Sequence, residues 1–131
     1  PLDSSDIRAM AITVLGNSSG MNDEARQAVV LNLDMETHPA VLSASFVALG
    51  KLGAGEGMLA IRAMNDAMLR NMARTNDNSV ADDYLITIKT MVGAENPDMQ
   101  TIDVLIRMSQ GENGFSSDIR RRALEHLKVF W

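Results

Sequence analysis

The chain has 131 residues, a formal net charge of −5, 46% hydrophobic and 22% charged residues, and no cysteine. That balance is one of a folded domain and excludes a disordered chain, and the missing cysteine excludes disulfides and thiolate metal sites. The acidic surplus argues against a general nucleic-acid binder, because neutralising phosphate charge supplies most non-specific affinity.

Aromatic residues are only 4% while methionine reaches ten, a core composition suited to packed helices more than to a sheet. No apolar run reaches the length of a membrane span and no signal-like segment opens the chain. Pro1 in place of methionine points to a removed leader or a longer parent chain. A soluble protein is expected, with the cytoplasm as the leading compartment and a processed periplasmic or secreted form as the alternative.

Ser4 or Ser5 is expected to cap a first helix that carries Asp6 in its first turn and stops at Gly16-Asn17. The triplet Asn17-Ser18-Ser19 fits a glycosylation site, a pattern common by chance. Asn22 is the expected cap of a second helix, with Ala25, Val29 and Leu33 as its buried stripe. Thr37-His38-Pro39 opens a third, the proline sitting where its missing N–H does no harm, and Gly50 and Gly53 close it. The fourth, over 57–74, carries the stripe Met58, Ile61, Met64, Met68 and Met72. Arg62, Asp66, Arg70 and Arg74 step by four along another face, which predicts an exposed ion-pair ladder.

The loop at 75–79 leads into a fifth helix striped by Val80, Tyr84, Leu85, Ile88, Met91 and Val92. Asn96-Pro97 reads as the start of a sixth, with Ile102, Leu105 and Ile106 inward. The seventh begins after the glycines at 111 and 114 and ends on Val129, Phe130 and Trp131.

The pentapeptide Ser-Ser-Asp-Ile-Arg stands at 4–8 and again at 116–120, 112 residues apart. Ile7, Val41, Val80 and Ile119 head similar apolar runs at steps of 34, 39 and 39, which sum to 112. Five residues after each stand Ile12, Phe46, Leu85 and Leu124; eight after stand Leu15, Leu49, Ile88 and Leu127. Four after stand Ala11, Ser45, Tyr84 and Ala123, small except for Tyr84, which predicts a local widening or a hydroxyl reaching a partner. Such offsets mark one face of a helix, and a period of this size marks stacked helical hairpins. The expected core includes Ile7, Ile12, Leu15, Phe46, Leu49, Leu85, Ile88, Leu124 and Leu127.

Asp6-Ile-Arg-Ala-Met-Ala-Ile-Thr-Val-Leu-Gly16, the run from Pro39 to Gly53 and Asp118-Ile-Arg-Arg-Arg-Ala-Leu-Glu-His-Leu127 resemble the first helix of short HEAT-like repeats of the PBS-lyase type. The unit from Val80 departs, with Asp82 and Asp83 where the family has arginine. The resemblance implies one domain over 1–131, a right-handed all-α solenoid of about three and a half hairpins in seven helices, with units near 4–36, 37–75, 78–111 and 116–131.

Chemistry is sparse. His38 and His126 fall in different units without metal-ligand spacing, the adjacent Asp82 and Asp83 diverge by about 100° on a helix, and no phosphate loop is present. No catalytic, cofactor or metal residue is expected, and the protein is not expected to be an enzyme. The resemblance implies a scaffold for another protein, presenting Arg26, Arg62, Asp66, Asp103 and Arg107 along a ridge of second helices. It also implies two alternatives: an accessory subunit or enzyme of the bilin-lyase kind, and a nucleic-acid binder like the HEAT-like DNA glycosylases. Phe130 and Trp131 extend the apolar face Ile119, Ala123, Leu127 and are expected at a contact, with a homo-oligomer through the last helix as one form.

Overall fold

Seven α-helices follow one another in the computed structural model, which describes residues 4–18 and 20–131. They are α1 (Ser4–Gly16), α2 (Asn22–Leu33), α3 (Pro39–Leu52), α4 (Leu59–Arg74), α5 (Asn78–Met91), α6 (Met99–Ser109) and α7 (Ser117–Leu127). Single 3-10 turns lie at Gly111–Asn113 and Lys128–Phe130, and there is no strand among the described residues. Ser19, part of the glycosylation triplet, and Pro1 lie outside the described residues.

Helix starts follow from side chains that satisfy the first free N–H groups. His38 accepts from the Ala40 N–H through Nδ1 at 3.2 Å, with Pro39 at the first helical position. Asp77, Asp98 and Ser116 cap α5, α6 and α7 in the same way. Three expected caps are corrected. Ser4 and Ser5 lie inside α1. Asn22 is the first residue of α2, after Met21, and makes no cap bond. Asn96 starts nothing: its Oδ1 accepts from the Gly93 N–H at 3.0 Å and its amide donates to the Met91 carbonyl, closing the turn after α5. Asp98 wins the start of α6 because its carboxylate binds both the backbone N–H and the hydroxyl of Thr101.

The helices pack in two series. Among the odd ones α1 lies on α3, α3 on α5 and α5 on α7; among the even ones α2 lies on α4 and α4 on α6. The odd series repeats one geometry. Nine residues after the anchor, Gly16 and Gly50 face residues seven after the next anchor, Ala48 and Thr87. Two after the anchor, Ser43 and Asp82 bond to residues three after the next, Asp83 and Arg122. Several side-chain bonds between helices span 34 to 36 residues: Lys51 to Asn17, Asn65 to Thr101, Gln100 to Asp66, His126 to the Val92 carbonyl.

The predicted core holds at Ile12, Phe46, Leu49, Leu85, Ile88 and Leu127, which are buried, and Leu15 packs at its edge. Ile7 and Leu124 are corrected: they are 56% and 50% exposed. Their columns are buried in interior helices but belong to the first and last helices here, where no neighbour covers them. On α6 the buried face is Thr101, Val104, Leu105 and Met108, so Ile106 is exposed and Ile102 half-buried. The methionine stripe of α4 is core: Met64 and Met68 are fully buried.

Tyr84 is a linking residue. Its ring meets Phe46 edge-on at 5.8 Å, and its hydroxyl donates to Asn65 Oδ1. Asn65 Nδ2 donates at 2.9 Å to Thr101 Oγ1, which donates at 2.7 Å to Asp98. Four helices meet in this buried chain without an orphaned group, the condition under which interior polar residues stabilise.

Gly16 has no left-handed backbone to explain it; it is there for closeness. A Cβ on it would lie 2.8 Å from Ala48 Cβ and 2.9 Å from the Ala48 backbone, whereas at Gly50 the nearest atom is the Thr87 hydroxyl at 3.2 Å. Gly16→Ala should therefore destabilise the protein by about 1–2 kcal/mol, overpacking outweighing the helix-propensity gain. Gly50→Ala should stay within about 1 kcal/mol of the parent. Urea titration of both checks the order; a more stable Gly16→Ala variant contradicts the packing.

Candidate functional site

The expected ridge residues separate on inspection. Asp66 and Gln100 link α4 to α6 at 2.8 Å, and Asp103 pairs with Arg107 at 3.1 Å on exposed α6. Arg62 is exposed beside them on α4. Arg26 is corrected: its side chain is only 14% exposed and turned inward. Its Nε and Nη2 donate at 2.8 Å to the carbonyls of Gly53 and Leu52, and Nη1 reaches Asp23 at 2.7 Å. A guanidinium there satisfies the free carbonyls of α3 and sits at the negative end of its dipole. Gly55 permits it, since φ is +70° and a Cβ would fall 2.6 Å from Arg26 Nη1. The expected ladder on α4 is also absent: among the described residues no ion pair joins Arg62, Asp66, Arg70 and Arg74, and Arg70 instead donates to the Leu33 carbonyl at 2.6 Å.

Behind Arg26 lies a cleft of about 590 Å³ between α2, the turn after α3 and the start of α4. Its apolar lining is Val30, Leu31, Ala54, Leu59 and Ala60. Leu31 and Leu59 are 73% and 70% exposed. Its charged lining is Asp23, Asp34, Glu56 and Arg26, and the one cation is already held by two carbonyls and Asp23. An apolar floor with unneutralised carboxylates at its edge results. Sequence reasoning missed it because it followed the buried stripe of α2; the signal was Leu31, a large apolar residue off that stripe.

A larger cleft, about 800 Å³, lies between α5 and α7 and is lined by Lys89, Arg121, Arg122, Glu125 and His126 among others. Its arginines are engaged: Arg121 with Asp118 and Glu125, Arg122 with Asp82 and Asp118. His126 is buried, its Nε2 lying 2.8 Å from the Val92 carbonyl and its ring stacked on Phe130 at 5.7 Å. Burial lowers its pKa below the ordinary value, opposed by the Val92 bond and aided by Lys89. Neutral imidazole thus serves as an N–H donor to the end of α5. Phe130, expected at an outside contact, is half-buried against this ring, and Trp131 is 82% exposed.

Burial raises the pKa of Asp83 and that of Tyr84, keeping the Tyr84 hydroxyl protonated as a donor. No group of three His, Asp or Glu side chains suited to a metal occurs among the described residues, and no helix there is long and apolar enough to cross a membrane.

Glu36 is the strongest electrostatic feature. Burial alone would raise its pKa, but Arg8 at 2.9 and 3.0 Å and the N–H groups of His38 and Thr37 hold it at about 2, against an ordinary 4.5. Because the folded value is depressed, the stabilisation is complete above pH 4.5 and is lost as pH falls towards 2. Arg8 is 39% exposed in its side chain, so solvent screening reduces the contribution to about 1–3 kcal/mol. Glu36→Gln should cost that much at pH 7 and nothing near pH 2, by chemical denaturation across the range. An equal loss at both ends contradicts the assignment.

No protein family, curated protein or solved structure matches the chain.

Proposed function

We propose that the protein is a non-enzymatic binding scaffold, a HEAT-like solenoid that receives a segment of another protein in the groove between α2 and α4. Two features support the repeat reading: odd and even helices each pack in sequence, and inter-unit hydrogen bonds recur near the repeat length. The observation that carries the binding reading is the pair Leu31 and Leu59, both largely exposed on one cleft whose free charges are carboxylates. Apolar surface gathered in a concavity is surface that gains by being covered, and the edge charges select what covers it. The fitting ligand is a short segment with two or three apolar side chains flanked by lysine or arginine. Phosphate backbones fit badly, since the groove's only cation, Arg26, is spent on α3. At the far end Leu124 and Trp131 leave α7 with exposed apolar surface of its own.

Selection from a random peptide library on the immobilised protein tests this. Recovered peptides should combine apolar residues with lysine or arginine, and binding should fall at least tenfold for Leu59→Glu while its thermal midpoint is unchanged. Recovery of acidic peptides, or binding indifferent to Leu59→Glu, contradicts the proposal.

A further inference from the structure

The odd helices bury the same face by one rule, which leaves two half-interfaces over. In α3, α5 and α7 the residues at the anchor and four and seven beyond it are covered by the preceding odd helix: Val41, Ser45 and Ala48; Val80, Tyr84 and Thr87; Ile119, Ala123 and His126, none more than 6% exposed. In α1 the same columns are Ile7, Ala11 and Val14, all exposed, with Met10 between them at 58%. The opposite face runs the other way. Five residues after the anchor, Ile12, Phe46 and Leu85 are at most 4% exposed beneath the following odd helix, while Leu124 on α7 is 50% exposed and Trp131 beyond it 82%.

We infer that the two ends complete one another: the outer face of α1 docks on the outer face of α7 of a second copy, extending the α1–α3–α5–α7 series from chain to chain. The interface needed already occurs three times within the molecule, and the chain carries one of each half. The sequence supports the fit, because α1 opens with the same Ser-Ser-Asp-Ile-Arg as α7, the helix that already docks on α5. Leu124 and Trp131 would cover Ile7, Met10 and Val14, burying an apolar stripe that α1 otherwise gives to water. Such a contact is heterologous: the two surfaces differ, so association is head-to-tail and grows into a filament or closes into a ring. It rests on the repeat reading and is independent of the groove between α2 and α4.

Sedimentation equilibrium of three samples tests the inference. The parent chain should show a weight-average mass that rises with concentration. Val14→Asp blocks one end and Leu124→Asp the other, so each alone should run as a monomer. Mixed in equal amounts they should form a species of twice the monomer mass and stop there, because one good end of each remains. Met10→Asp and Trp131→Glu serve as second variants where either first choice loses its helical circular dichroism. A parent that stays monomeric while fully helical overturns the stacking and leaves the repeat reading intact. Loss of association by one variant alone means a symmetric contact between like ends, and persistence in both means another surface; either result overturns it.

Discussion

The structure depends on the buried chain that runs Tyr84–Asn65–Thr101–Asp98. Its first two links cross between helices, the third fastens the start of α6, and with Phe46 against the Tyr84 ring it ties α3, α4, α5 and α6 at one point. Interior polar groups are costly unless all are bonded, so this cluster is compatible with only one relative placement of those helices. The apolar surroundings, Met64, Met68, Leu105 and Met108 among them, are adaptable and would tolerate sliding. The polar chain supplies register where the apolar core supplies only burial.

Around that centre the helices lean on one another at their ends. Arg26 closes α3 from α2, Arg70 does so for α2 from α4, and His126 does so for α5 from α7. Free carbonyls at helix C-termini thus find donors on a neighbouring helix. Arg26 and Gly55 fix one side of the groove between α2 and α4, so the binding proposed for it would carry a reduced ordering cost.

Helix number, order and most interior positions were legible in the sequence, because periodicity reports which residues share a face. Val29, Leu33, Leu49 and Ile88 were identified that way and are fully buried. The pattern does not report which helix faces have a neighbour, so Ile7 and Leu124 share columns with core residues yet are exposed. Nor could it rank competing caps: Asn96-Pro97 had good local chemistry, but Asp98 gained the Thr101 hydroxyl and a place in the buried network. Two arginines illustrate a related point. Arg26 of the expected ridge and Arg70 of the expected ladder donate to backbone carbonyls of neighbouring helices, which residue spacing does not reveal.

Neighbouring helices hold each other in register through one connected polar chain. A double-mutant cycle between Tyr84→Phe and Thr101→Val tests it most directly, because the two residues bond to Asn65 and not to each other. Tyr84→Phe leaves Asn65 Oδ1 unpaired and Thr101→Val leaves Asn65 Nδ2 only its 3.4 Å bond to Asp98, so each should cost about 1–3 kcal/mol. If the chain acts as a unit, the double variant departs from the sum by about 1 kcal/mol. Effects that add within about 0.3 kcal/mol would mean two independent hydrogen bonds and contradict the account.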